Sequence, residues 1–238
     1  MRFHNSKYIL VMILLTAFCM MLSAQERKVM NRPYIDQRTY HYGFFFGTHM
    51  QDLEFQNNGF TDEDGNQWFA DVPNYDPGFS VGILGELRLH DNIALRAIPT
   101  MHFGQKVVRF QNARDKSHEL LTNKSTYISV PVDLKFSAER FNNYRPYIMA
   151  GVNPMFDLTI KKQRNIKLKP FDVYLEAGIG CDFYLPFFKL IPEIKFCYGL
   201  MNVLDKKRTD LTDPTRLIYT NSIDNAHSKM IVLSLYFE

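Results

Sequence analysis

The sequence predicts an all-β chain: an eight-stranded antiparallel transmembrane β-barrel with short periplasmic turns and long outer loops. Three observations predict it. The chain opens with an export signal, it then falls into ten- to fifteen-residue runs with period-two alternation, and the connections between the runs alternate in length. Composition agrees. The chain has 238 residues, enough for one sizeable domain. Twenty Phe and 13 Tyr cannot stay solvated, which excludes a disordered chain. Mean hydropathy is −0.23, and past residue 24 no apolar stretch reaches the roughly 18 residues of a membrane helix. Many aromatics with a slightly polar average suit either a soluble β-domain or a barrel whose lipid face is diluted by a polar lumen.

Residues 1–24 read as the export signal. Arg2 and Lys7 give the positive start, Tyr8 to Leu22 is apolar apart from Thr16, and Leu22-Ser23-Ala24 ends on a small residue. Cys19 does not mark a lipoprotein, because Phe18 stands where a small residue is needed. The division expected is a signal peptide at 1–24, a periplasmic arm at 25–39 and a barrel at 40–238, placed in the outer membrane. The formal net charge of +3 includes Arg2 and Lys7, so the exported part carries 26 basic and 25 acidic residues. No basic face stands out, which argues against a nucleic-acid partner.

Eight runs follow the arm: Tyr40–Met50, Gly78–Leu89, Ile93–Val108, Thr126–Ser137, Tyr144–Met155, Asp172–Tyr184, Leu190–Met201 and Met230–Phe237. The fourth is the clearest. Thr126, Ile128, Val130, Val132, Leu134 and Phe136 face one way; Tyr127, Ser129, Pro131, Asp133, Lys135 and Ser137 face the other. The sixth repeats the pattern with Val173 to Phe183 against Asp172 to Tyr184, and the last puts Ile231, Leu233, Leu235 and Phe237 on one face. The long connections are 51–77, 109–125, 156–171 and 202–229, and they hold turn formers such as Asn57-Asn58-Gly59 and Asp213-Pro214. The short ones are 90–92, 139–143 and 185–189. This sorting, with the export signal, favours lipid outside over a soluble sandwich or lipocalin-like barrel. Cys181 and Cys197 fall on opposite faces of neighbouring runs, so no disulfide is expected.

With the apolar face against lipid, the lumen receives Glu86, Arg88, Arg96, Asp133, Lys135, Arg145, Asp172, Glu176, Asp182, Glu193 and Lys195. Glu86/Arg88, Asp133/Lys135 and Glu193/Lys195 are same-face neighbours and are expected to pair. Most of these charges lie near the short turns, in the periplasmic half. An eight-stranded barrel is just wide enough to be filled by its own side chains. Charges buried there must be paired, so the expectation is an ionic plug that fixes barrel shape and not a pore.

Candidate chemistry is sparse. The histidines after the signal are His41, His49, His90, His102, His118 and His227, none in a nucleophile motif. No G-x-S-x-G, C-x-x-C, H-E-x-x-H or glycine-rich phosphate loop occurs. His49 and His102, near the outer rim, are the residues a lipid-modifying barrel enzyme would use. The acidic loop Asp62-Glu63-Asp64-Gly65-Asn66 lacks the ligand spacing of a calcium loop and reads as a solvated turn. Trp68, Phe69, Tyr75 and Phe79 read as interfacial aromatics. No cofactor, no metal and no small-molecule substrate is expected. The arm residues Asn31, Pro33, Tyr34, Asp36 and Arg38 are richer than a spacer needs. They either fold back under the barrel or dock a partner.

The order of these segments resembles the PorT/SprT family. The residues that carry the likeness are Asn31, Pro33, Asp36, Arg38 and His41-Tyr42-Gly43-Phe44, then Tyr127 to Lys135 with Arg140, Asn143, Arg145-Pro146-Tyr147 and Gly151. Glu176 to Tyr184, Pro192 to Lys195 and Tyr198-Gly199-Leu200 continue it. The resemblance covers nearly the whole chain after the signal. It implies a non-enzymatic outer-membrane component of the type IX secretion system, which exports proteins such as gingipain-type proteases and in relatives supports gliding motility. It also implies that the partners are other components of that system and outer-membrane lipid. The alternatives are the lipid-modifying enzyme and a general structural or adhesive barrel.

Overall fold

The computed structural model describes residues 29–61, 65, 67–71, 76–112, 118–159, 167–206 and 222–238. The expected export signal at 1–24, residues 25–28 of the arm, most of the acidic loop, Tyr75, Asp213-Pro214 and the side chains of Trp68 and His118 lie outside the described residues.

Among the described residues eleven strands form one sheet: β1 (Tyr40–Asn57), β2 (Trp68–Asp71), β3 (Pro77–Arg88), β4 (Ile93–Ala97), β5 (Thr100–Asn112), β6 (His118–Ser129), β7 (Val132–Ser137), β8 (Tyr144–Asp157), β9 (Phe171–Tyr184), β10 (Lys189–Gly199) and β11 (Ile223–Phe237). All pairings are antiparallel, and β11 returns to pair with β1, from Phe44↔Phe237 to Asn57↔Ile223. The chain is therefore an all-β barrel of eight walls, with β4–β5 making the third wall and β6–β7 the fourth.

Those two walls were expected unbroken. Each is interrupted at a proline, Pro99 in one and Pro131 in the other. Proline has no N–H to give the ladder. Its neighbours compensate across the break: Ile98 N donates to Pro131 O at 3.1 Å, and Ile83 N to Pro99 O at 3.1 Å. The outer connections also differ from expectation. The walls run past the predicted ends, β1 to Asn57 and β11 back to Ile223, and β2 pairs with β5 inside what read as one loop. Polar strands beyond the apolar belt carry little hydrophobic alternation, so their sequence looks like loop.

The outward face is apolar. Ile128, Val132, Leu134, Phe136, Leu175, Ile179, Phe183, Ile231 and Leu233 are all exposed to the surroundings of the barrel. The inward face is buried and layered. At the outer end Leu53, Val108, Phe110, Leu168, Val203 and Ile223 form an apolar cap. Tyr127, Met155, Tyr174, Met230 and Val232 lie beneath it. Phe45, Leu84, Ile98, Tyr147, Ile191 and Tyr236 pack around the charged layer nearer the periplasm. Among the described residues Cys181 and Cys197 are free, Cys197 buried inward and Cys181 half-buried on the outer wall.

Candidate functional site

The inward-pointing charges converge in the periplasmic half of the lumen. Arg96, fully buried, donates from Nε to Glu86 at 2.7 Å and from Nη1 to Glu193 at 2.7 Å. Tyr147 and Tyr236 donate their hydroxyls to the two oxygens of Glu193, at 2.5 Å and 2.8 Å. Their rings also flank the Arg96 guanidinium, at 4.7 Å and 5.7 Å. Lys135 binds Asp182 at 2.8 Å and reaches Glu86 at 3.4 Å. Lys195 binds Glu176 at 3.1 Å and lies 3.6 Å from Asp133. Ions taken out of water are tolerated only when paired and hydrogen-bonded; the lattice pairs these ions across five walls, but Asp133 has only the Lys195 ion pair and accepts no hydrogen bond.

Two expectations are corrected here. Glu86 does not pair with Arg88, nor Asp133 with Lys135. Residues two apart on a strand point the same way but stand roughly 7 Å apart along it. A charge on the facing wall of a narrow lumen is nearer. Glu193 and Lys195 do approach, at 3.8 Å, as a secondary contact. Arg88 and Arg145 also leave the predicted network. Arg88 is half-exposed and pairs with Asp91 in the β3–β4 turn. Arg145 donates to the main-chain oxygens of Ala138 and Asp91 at the rim. Both sit at the strand ends, where the lumen opens to water. Asp172 is buried in the outer half and accepts from the main-chain N–H of Val173 and Met201.

Sequence reasoning missed six members of the layer: His41, Tyr147, Tyr184, Lys189, Tyr236 and Glu238. Their inward register could have revealed Tyr147 and Tyr236, which alternate against the apolar face. Glu238 accepts from His41 Nδ1 at 2.6 Å and forms an ion pair with Lys189 at 2.5 Å. Burial alone would raise its carboxyl, but the His41 hydrogen bond and the Lys189 charge outweigh burial and pull it down to about 2.

The arm forms the floor. A short 3₁₀ turn, Ile35–Gln37, plugs the opening with buried Ile35. Asp36 accepts from the Tyr184 hydroxyl at 2.7 Å, with Arg140 at 3.5 Å and Arg145 at 3.9 Å. The Arg140 guanidinium lies 3.5 Å over the Tyr184 ring and also binds the carbonyls of Asn31 and Arg32. Asn31 donates from its backbone N to Asn143 and from its side chain to Tyr184 O, at 2.8 Å and 3.0 Å. Arg32 holds Glu238 O at 3.2 Å. Of the five arm residues singled out, Asn31 and Asp36 turn into the floor. Pro33, Tyr34 and Arg38 face away from it, and Tyr34 is 74% exposed.

His49 and His102 do approach each other, with rings 5.3 Å apart, but not at an accessible rim. Both are buried inside the lumen, on a chain running His49–Ser80–His102–Ser129 at 2.8, 2.7 and 3.1 Å. Among the described residues no group of three or more His, Cys, Asp or Glu is arranged to hold a metal ion.

Comparison with known proteins bears on this barrel. The family described as outer membrane protein beta-barrel domain matches residues 23–205. A search of curated proteins finds no match. Among solved structures, OprG from Pseudomonas aeruginosa is similar at TM-score 0.43 and 13% identity, covering 83% of this chain and 92% of that one. Neisserial surface protein A is similar at TM-score 0.42 and 12% identity, with coverage of 84% and 98%. Ail, the attachment invasion locus protein of Yersinia pestis, solved with a heparin analogue, gives TM-score 0.37 and 14% identity, with coverage of 84% and 99%.

Proposed function

The chain belongs to the outer membrane protein beta-barrel domain family and resides in the outer membrane, and we propose that it serves there as a non-enzymatic component of type IX secretion. The observation that carries the reading is the ordered likeness of residues 31–44, 127–151 and 176–200 to the PorT/SprT family. The geometry is compatible with an accessory role. The lumen is filled by its own side chains, and the arm closes its floor, so cargo such as gingipain-type proteases would pass elsewhere. Partners would be other secretion components, met through the outward residues of the floor or through the lipid-facing wall. His49 and His102 lie inside the lumen, away from the lipid an enzyme would need to reach.

The test is deletion of the gene in its own host. Loss of type IX secretion leaves unprocessed protease precursors in the periplasm and impairs gliding where the host glides. Normal surface proteases in the deletion strain would end this reading. Altered lipid A in the same strain would favour a lipid-modifying barrel.

A further inference from the structure

The charged layer in the periplasmic half of the lumen holds more acid than base. Six carboxylates, those of Glu86, Asp133, Glu176, Asp182, Glu193 and Glu238, meet four ammonium or guanidinium groups, those of Arg96, Lys135, Lys189 and Lys195. His41 lies against Glu238 at the floor. The remaining imbalance is local. Among the described residues, Lys195 is the cation within 4 Å of both Asp133 and Glu176, at 3.6 Å and 3.1 Å. Arg96 is the register partner of Asp133, yet it directs its guanidinium to Glu86 and Glu193.

Hydrogen bonding marks the same place. Asp133 is fully buried, and neither of its carboxyl oxygens accepts a hydrogen bond. Asn153, 2% exposed, donates from Nδ2 to Glu176 at 3.1 Å. That bond orients the amide and leaves Asn153 Oδ1 an acceptor without a donor. Unmet acceptors buried beside an unbalanced carboxylate cost several kcal/mol in sum, by order of magnitude.

We propose that Asp133 and Glu176 hold one proton between them, which makes this a proton-binding site inside the closed barrel. The proton lowers the local charge by one and supplies the O–H donor that the orphan acceptors need. A metal ion fits less well. Asp133 Oδ1 packs against the α-carbon of Gly151, where a β-carbon would overlap it. The Lys195 ammonium already occupies the cationic position between the two carboxyls. The charged and titratable groups around the pair are Arg96 on β4 and Glu193, Lys195 and Cys197 on β10, with His102 on β5 and Tyr236 on β11 beside Lys195.

Infrared spectroscopy of the barrel, arm included, in phospholipid vesicles tests this. A protonated-carboxyl C=O band is expected at neutral pH and is expected to vanish in Asp133→Asn. The folded state would bind one proton more than the unfolded state, so its stability should fall as pH rises into the alkaline range. Asp133→Asn should fall less steeply. If that variant does not fold, Glu176→Gln and alkaline titration of the wild-type band decide. No band in the wild type overturns the proposal, as does a band that persists in both variants. Stabilisation by sodium over choline would also overturn it, by placing a metal ion in the site.

Discussion

Arg96 on β4 and Glu193 on β10, 97 residues apart in the chain, meet at 2.7 Å in the middle of the lumen. Among the described residues Glu193 has no other full positive charge so close; Lys195 stands at 3.8 Å. Removing the guanidinium strands Glu193 and half-strands Glu86. Arg96→Met should therefore cost about 3–5 kcal/mol. Urea unfolding in lipid vesicles measures it, and a loss under about 1 kcal/mol would show that the lattice does not hold the barrel together.

Tyr147 lies over Gly180, its register partner on β9. A β-carbon at Gly180 would overlap the Tyr147 ring. Gly180→Ala should then push the ring off the Arg96–Glu193 pair, at a cost of about 1–3 kcal/mol. Tyr147→Ser should recover part of that loss in the double variant. Strict additivity of the two changes would refute the contact.

The floor should release as a unit. Asp36→Ala removes the acceptor that Tyr184 and Arg140 share. Trypsin should then cleave after Arg38, where Thr39 follows, while the barrel itself resists digestion. Equal resistance of the arm in the variant and the wild type would place the arm's anchorage elsewhere.

Acid should loosen the same end. Glu238 is held down to about 2 from an ordinary 4.5. A depressed carboxyl contributes stability that is fully present above 4.5 and is lost as pH falls toward about 2. Wild type should lose more stability over that window than Glu238→Gln. Parallel acid curves for the two proteins would contradict the clamp by His41 and Lys189.

Purified protein in planar bilayers should show no sizeable steady conductance, because the lumen is filled from the apolar cap to the arm. Large, stable channels would contradict a closed barrel.

Period two is a property of the chain itself, so it was readable without coordinates. Alternation from Thr126 to Phe136 or Val173 to Phe183 assigns each residue to a face wherever the strand pairs. The export signal expected at residues 1–24 and the sorted loops then indicate which face meets lipid. That reasoning reached the barrel, and it brought Glu86, Arg96, Asp133, Lys135, Glu176, Asp182, Glu193 and Lys195 to one side of the wall. It could not choose their partners. Pairing depends on which walls face each other across a lumen a few side chains wide, and that follows from closure of β11 on β1. Closure sends Arg96 to Glu193 in preference to its neighbours in sequence, carries Arg88 and Arg145 out to the rim, and brings Asn31 and Asp36 under the walls. Local order thus determined the faces, and only the closed tertiary structure decided the contacts, because charges in a narrow, dry space bind the nearest opposite charge in three dimensions.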